Sequence, residues 1–278
     1  MRFCLAILLL TAWPGCCADF EFRDVMKSAD IDAVFAKTQQ SLDVLQKWNY
    51  AVAFRVNAGK PGPWQTHPDA DELWVVRRGV AKLSVGTTPP GKQFDVGAGD
   101  MVNIPRSQGY QVTPGAGRFE YVATRIFTTE RHARPGAAAA KPRPPMPTVV
   151  KKAEIDATFA NAKQNTPLHS NGAVMINQIL FWVKNPVGPD KVDYNKEVHL
   201  TCDDIYFKRV GTARMYLDGT LVGGIEQSPN EPRAPKVVGA REYPAVGPGD
   251  IVSIPRNMQH LMDPGSAKLG YVLIKVCD

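Results

Sequence analysis

Two sequence segments occur twice in this chain, in the same order, and this repetition constrains the fold more than any other feature. Residues 29–36 read ADIDAVFA, and residues 153–160 read AEIDATFA. Residues 96–106 read VGAGDMVNIPR, and residues 246–256 read VGPGDIVSIPR. Matched blocks in the same order indicate a duplicated structural unit. The blocks lie further apart in the second copy, which therefore contains insertions.

The composition of one segment marks the boundary between the two copies. Residues 133–148 (ARPGAAAAKPRPPMPT) are rich in alanine and proline, which is typical of an extended linker. The chain has 278 residues, enough for two domains of ordinary size. We therefore expect an N-terminal domain over residues 19–132 and a C-terminal domain over residues 149–278.

Each copy begins with a helical pattern and continues with strand-like patterns. Apolar residues recur at helical spacing over residues 29–46 and again over residues 153–163, and Ser28 is a good N-cap for the first of these helices. Short runs rich in Val, Ile, Tyr, Trp and Phe follow, separated by Gly, Pro and Asp turns. This alternation predicts an all-β sandwich or barrel in each copy, preceded by a short helix.

The N-terminus has the pattern of a signal peptide. Arg2 precedes an apolar run over residues 3–12, and small residues before position 19 predict cleavage after Ala18. Residues 1–18 would thus be removed, leaving an exported protein in a periplasm or outside the cell; the alternative is an uncleaved N-terminal anchor. No later stretch reaches 18 apolar residues, so we expect no membrane insertion after signal removal.

Two of the five cysteines remain after that cleavage. An exported protein can join Cys202 and Cys277 in a disulfide, but their positions in the sequence do not show whether they lie close together.

Polar residues in the second copy follow a specific spacing. Glu197-x-His199 is followed by Asp204 and Gly211, and a later Gly-Asp pair and proline precede His260. This spacing resembles the two motifs of the cupin family, in which three histidines and a glutamate bind one divalent metal inside a barrel. His199 and His260 match the second and third motif histidines. Asp204 stands where glutamate is usual, Glu197 stands where the first histidine is usual, and Asn257 replaces a turn glycine.

The resemblance implies a bicupin: two tandem double-stranded β-helix (jelly-roll) barrels that pack together. It also implies a divalent transition metal held by His199, His260, Asp204 and Glu197. Two imidazoles with carboxylates suit Mn, Fe, Ni, Cu or Zn, and the sequence does not distinguish among them. The alternative for Asp204 is a buried acid paired with Lys208 or Arg256.

Two further residues are candidates for substrate binding in the second barrel. Asp204, Tyr206 and Lys208 share one face of a strand, because side chains alternate along it. Lys208 would bind a substrate carboxylate and Tyr206 would stack on the substrate. The alternatives are a strand-edge lysine that extends to water and a tyrosine that packs in the core.

The first copy has a degraded version of the same motif. Gln65, His67, Glu72 and Tyr110 occupy the four ligand positions there. One histidine and one carboxylate with an amide and a phenol make a poor metal site. We expect a structural role or a metal-free pocket in this barrel.

These features favour a metal-dependent enzyme that acts on a small organic acid, sugar or aromatic substrate, as a dioxygenase, decarboxylase or isomerase. The alternative is a non-catalytic ligand-binding or storage-like bicupin with a vestigial metal motif. A homo-oligomer is compatible with either function. Nucleic-acid binding is not expected, since the net charge of +6 includes no run of five basic residues.

Overall fold

The computed structural model describes residues 23–127, 146–161, 169, 196–223, 230–264 and 268–277, together with the backbone of residues 174–180. The predicted signal peptide and all but the last three residues of the predicted linker lie outside these described residues. Within them, no helix is both long enough and apolar enough to cross a membrane.

The first half contains one helix and ten strands. They are β1 (Val25–Met26), α1 (Ser28–Lys37), β2 (Leu42–Gln46), β3 (Tyr50–Ala58), β4 (Gln65–Thr66), β5 (Asp71–Arg78), β6 (Val80–Gly86), β7 (Lys92–Gly97), β8 (Met101–Ile104), β9 (Gly109–Pro114) and β10 (Arg118–Ile126).

The described residues of the second half form a similar series. They are β11 (Val149–Val150), α2 (Lys152–Asn161), β12 (Val174–Leu180), β13 (Lys196–Glu197), β14 (Cys202–Val210), β15 (Ala213–Leu217), β16 (Thr220–Val222), β17 (Arg233–Ala234), β18 (Lys236–Val238), β19 (Arg241–Val246), β20 (Ile251–Ile254), β21 (His260–Asp263) and β22 (Lys268–Cys277).

Antiparallel sheets build one barrel from each half. In the first barrel, sheet β8-β5-β10-β3-β2 faces sheet β4-β9-β6-β7. In the second barrel, sheet β20-β14-β22-β12 faces sheet β17-β13-β21-β15-β19, with β16 and β18 as a separate pair. Each barrel encloses its own apolar cluster, built around Trp74 and Phe119 in the first and around Met215 and Leu269 in the second. The all-β, double-sheet architecture predicted from the sequence is confirmed.

The two halves exchange their N-terminal strands. β1 pairs with β20 of the second barrel, where Val25 lies opposite Val252, and β11 pairs with β8 of the first barrel, where Val149 lies opposite Val102. The first strand of each half therefore extends a sheet of the other half.

A large apolar cluster lies between the barrels and joins them. It combines residues from both large sheets with residues from both helices, including Phe35, Phe54, Phe159, Phe207 and Val272. The two barrels therefore pack on one another, as the resemblance implied.

The first helix is shorter than its apolar spacing predicts. α1 ends at Lys37, and the predicted continuation to residue 46 is wrong because residues 42–46 form strand β2. A β-bulge between Asp43 and Leu45 shifts the register of β2 against β3, so Leu42 and Leu45 lie on the same side of the sheet at a helix-like separation.

Cys202 and Cys277 form a disulfide, which resolves the pairing that the sequence left open. They lie opposite each other at the ends of the neighbouring strands β14 and β22. The bond fastens the end of the strand that carries Asp204.

Candidate metal centre

Three of the predicted ligands meet on neighbouring strands of the second barrel. Glu197 in β13 lies directly opposite His260 at the start of β21, and His199 follows two residues after Glu197. The turn before β21 is joined to this segment, because the amide of Asn257 donates a hydrogen bond to the carbonyl of His199 at 2.7 Å. Asn257 has a φ of 65°, a left-handed conformation that asparagine tolerates better than most non-glycine residues.

The three side chains form a compact group. Glu197, His199 and His260 each offer one ligand atom, and these atoms lie within 4.8 Å of one another. Glu197 Oε1 is 3.4 Å from His260 Nε2 and 3.9 Å from His199 Nε2. The group is largely buried, since His199 is 6% exposed and His260 is 3% exposed.

His260 supplies the observation that tests whether the residues fit a metal ion. Its Nδ1 lies 3.3 Å from the carbonyl oxygen of Met258, which can only accept a hydrogen bond, so Nδ1 carries the proton. Nε2 then presents a lone pair. This buried atom has no hydrogen-bond partner within the described part of the chain, and it points toward the Glu197 carboxylate. The imidazoles of His199 and His260, together with the Glu197 carboxylate, form a donor set that suits a divalent transition metal.

The electrostatics of the group favour its ligating protonation states. Burial raises the pKa of Glu197, but the contacts of its carboxylate with His260, His199 and Arg233 outweigh burial and bring the pKa to about 2. Burial lowers the pKa of His199, although Asp204 partly offsets that effect. At neutral pH the group thus contains a carboxylate and a neutral His199 imidazole. The Nε2 atom of His199 lies 3.1 Å from Asp204, so it would give up that contact to bind a metal ion.

Asp204 lies beside this group but outside it. Its side chain is 1% exposed and lies 2.8 Å from Lys275 Nζ and 3.1 Å from His199 Nε2, and it accepts a hydrogen bond from Tyr206 at 2.9 Å. Burial raises the pKa of Asp204, but Lys275 and His199 outweigh burial and hold the pKa well below its usual range. The alternative partners predicted for Asp204, namely Lys208 and Arg256, are wrong. Arg256 pairs with Asp203 instead, and the amine of Lys208 lies against Met262.

Both candidate substrate-binding residues are buried in the second barrel. Tyr206 is 5% exposed, and its hydroxyl donates a hydrogen bond to Asp204. It therefore packs in the core with a polar partner. Lys208 is 1% exposed, which contradicts the alternative of a strand-edge lysine extending to water. Its ammonium group lies against Met262 and the ring of Tyr271.

The four corresponding positions of the first barrel form a hydrogen-bonded network of their own. His67 Nε2 lies 3.1 Å from Glu72 Oε2 and 3.4 Å from the Tyr110 hydroxyl, which in turn donates to Gln65 Oε1 at 3.2 Å. Arg125 approaches the other oxygen of Glu72 at 3.6 Å. Burial raises the pKa of Glu72, but His67 and Arg125 outweigh burial and lower the pKa. Among the described residues, only the second barrel holds a compact group of three metal-ligating side chains.

Three charged residues that shape the centre were not identified from the sequence. Lys275 pairs with Asp204, Arg233 lies 2.6 Å from Glu197 Oε2, and the carboxylate of Glu231 lies 3.8 Å from His199 Nδ1. Lys275 does have a sequence signal, because it is a charged residue inside the apolar run LGYVLIKV, and Arg125 occupies the same place in the run FEYVATRIF. Arg233 and Glu231 follow an insertion of the second copy and have no counterpart in the repeat.

Comparison with known proteins identifies the fold. No family model matches the sequence, and no curated protein matches it. A cupin 2 conserved barrel domain protein from Leptotrichia buccalis has a similar structure, with a TM-score of 0.55 and 10% identity over 89% of this chain and 94% of that one. A salicylate 1,2-dioxygenase from Pseudaminobacter salicylatoxidans has a TM-score of 0.60 and 7% identity over 90% of this chain and 83% of the enzyme.

Both similarities extend over most of each chain. The chain therefore has the cupin fold, present as two barrels.

Proposed function

We propose that the second barrel binds one divalent transition metal through Glu197, His199 and His260 and uses it to transform a small organic substrate. The observation that carries this proposal is the compact group of Glu197, His199 and His260, whose ligand atoms lie within 4.8 Å of one another and whose two histidines are buried. Asp204, which Lys275 and Tyr206 already engage, contacts the same His199 nitrogen and would release it to the metal in this assignment.

The chain's own residues hold the ligand atoms in place. Met258 fixes the tautomer of His260, and Arg233 binds one oxygen of Glu197 so that the other oxygen faces the two histidines. A bound divalent ion would supply a Lewis-acid centre, or a redox centre if it were iron or manganese, with positions open to substrate because the protein provides three ligands.

The substrate class we favour is a small organic or aromatic acid, and the reaction we favour is oxygenation. Support comes from the two-histidine, one-carboxylate set, which is typical of non-haem oxygenases, and from the similarity to an enzyme named as a salicylate 1,2-dioxygenase. Decarboxylation or isomerisation at the same metal remains within the proposal.

A second candidate function is non-catalytic binding of a small ligand. It is favoured by Asp204, which stands at a ligand position but is charge-paired with Lys275. The first barrel is a second observation in its favour, because Tyr110 and Gln65 occupy two of its ligand positions and hydrogen-bond each other.

We also propose that the protein is exported. The pattern of residues 1–18 supports this, and the disulfide between Cys202 and Cys277 suits an oxidising compartment.

Oxygen uptake by the reconstituted protein tests the proposed function. The chain from residue 19 onward is loaded with Fe(II) or Mn(II) and mixed with salicylate and related hydroxy acids, while dissolved oxygen and released carbon dioxide are followed. We expect turnover in the wild type and in His67→Ala, and a decrease of about 100-fold in His260→Ala. Metal-loaded wild-type protein that binds these acids without converting them would instead establish the binding function.

A further inference from the structure

Lys208 is a buried ionisable group that the proposed metal chemistry does not use. It lies on β14, two residues after Tyr206 and on the same side of the strand, which faces the interior of the second barrel. Its side chain is 1% exposed. The Nζ atom lies 3.4 Å from the sulfur of Met262 and 5.2 Å from the centre of the Tyr271 ring.

No carboxylate among the described residues lies within 4.0 Å of this amine. Asp250 is the acid that acts on it most strongly, but the Asp250 carboxylate is engaged by the amides of Ser28 and Gly247 and by the ammonium group of Lys27. Asp204 is likewise engaged by Lys275. Lys208 is therefore a buried amine whose surroundings are a thioether and an aromatic ring.

The first barrel shows that the fold does not require an amine at this position. Val76 makes the same backbone hydrogen bonds to the loop of Asp100 that Lys208 makes to the loop of Asp250, at 3.0 Å in both cases. Val76 also lies opposite Tyr121, just as Lys208 lies opposite Tyr271. An apolar side chain therefore fills this position in the first barrel. Burying an amine at the same position of the second barrel costs free energy, and the fold does not require that amine.

The surroundings of Lys208 give its amine the properties of a nucleophile. Burial lowers the pKa of Lys208 to about 7, and Asp250 offsets this only in part. A large fraction of the amine is thus uncharged at neutral pH, whereas an ordinary lysine is almost fully protonated. Met262 is partly exposed and covers the amine with a flexible, unbranched side chain, so a change of that side chain's rotamer would open the amine to a small molecule.

We propose that Lys208 is a reactive amine that forms an imine with a small aldehyde or 2-oxo acid admitted to the second barrel. The nitrogen lone pair attacks the carbonyl carbon, and a proton moves from nitrogen to oxygen to give a carbinolamine. Loss of that oxygen as water forms the carbon–nitrogen double bond, so the step requires no oxidant or reductant. The reaction goes beyond the metal centre and does not depend on it.

Reductive trapping at neutral pH tests this inference. The folded protein is mixed with a limiting amount of glyoxylate and sodium cyanoborohydride at pH 7, and the modified lysines are located by peptide mass mapping. We expect modification of Lys208 at least about ten-fold above that of Lys236, an exposed lysine with an ordinary surrounding. Labelling of Lys236 and other exposed lysines with Lys208 unmodified would overturn the proposal.

Matched variants separate reactivity from structure. Lys208→Met should lose the selective adduct while keeping the wild-type circular dichroism spectrum, because Val76 shows that an apolar residue fits at this position. Lys236→Met should leave the adduct unchanged. Met262→Ala should increase the rate of labelling at Lys208, since it removes the covering side chain; an unchanged adduct in Lys208→Met would contradict the assignment.

Discussion

The two barrels place different side chains on equivalent backbone, and the chemistry diverges at single residues. Tyr110 in the first barrel corresponds to His260 in the second. The tyrosine hydroxyl can both donate and accept, so it satisfies Gln65 and lies beside His67 without any added group. The histidine uses its proton on a carbonyl and leaves a buried lone pair. One substitution of this kind therefore separates a barrel with a single histidine beside its carboxylate from a barrel with two histidines beside one.

Lys208 leads to a prediction about stability and pH. The pKa of Lys208 is about 7 in the folded chain and about 10.4 when unfolded, so the folded state is penalised most below pH 7, where the buried amine must be charged. This penalty declines as pH rises toward 10. We expect Lys208→Met to be more stable than wild type by about 4–5 kcal/mol at pH 6, with a difference that shrinks to below about 1 kcal/mol by pH 10.

Urea unfolding at pH 6, 8 and 10 measures this difference, with Lys236→Met as the exposed control. A difference between Lys208→Met and wild type that does not change with pH would show that the amine is not titrating as described.

The position of the ligands could be predicted from the sequence because motif spacing and strand alternation specify it. Four residues are predicted as ligands, and three of them, Glu197, His199 and His260, form one compact group while Asp204 lies beside it. The partners of Asp204 could not be predicted, because Lys275 reaches it across a strand pair whose register depends on the whole sheet. Likewise, Arg233 comes from an insertion that the repeat does not align.

At the scale of elements, the N-terminus of each helix is capped by an aspartate from the other barrel. Asp250 accepts a hydrogen bond from the amide of Ser28 at the start of α1, and Asp100 accepts one from the amide of Lys152 at the start of α2. Each of these aspartates also accepts a hydrogen bond from the amide of the glycine three residues before it. The prediction of Ser28 as a local cap was wrong because a residue distant in sequence supplies the cap, and Ser28 is already inside the helix.

This arrangement predicts that the two Gly-Asp turns contribute equally to stability. Asp250→Ala and Asp100→Ala should each lower the free energy of unfolding by about 2 kcal/mol, because each removes a helix cap that also joins the barrels. Asp95→Ala is a matched control, since Asp95 is an exposed acid whose side chain pairs with the exposed Lys82, and it should change stability by less than about 0.5 kcal/mol. Thermal unfolding measures all three, and an effect of Asp250→Ala no larger than that of Asp95→Ala would contradict the cap assignment.

The same comparison explains why the element boundaries were harder to predict than the fold class. The all-β class follows from alternation and turn residues, which are local signals. The end of α1 and the start of β2 depend on a bulge against β3, which is a tertiary feature that imitates helical spacing.

At the scale of the whole molecule, the exchanged strands and the shared core make the two barrels one cooperative structure. β1 and β11 each complete the sheet of the opposite barrel, and the central cluster includes residues from both halves. The disulfide closes a separation of 75 residues in the second barrel, which is worth about 4 kcal/mol in the chain-entropy model. In such a molecule the first barrel can lose its ligand chemistry and still be required, because it supplies half of the interface that supports the second.

The central claim is therefore an asymmetry: one barrel binds a metal ion and the other does not. Elemental analysis of the purified chain, after reconstitution with Mn(II), Fe(II) or Zn(II), measures it directly in wild type, His260→Ala and the matched first-barrel variant His67→Ala. The account predicts about one equivalent of metal per chain in wild type and in His67→Ala, and almost none in His260→Ala. Wild-type protein without metal, or metal that is lost in His67→Ala and retained in His260→Ala, would contradict it.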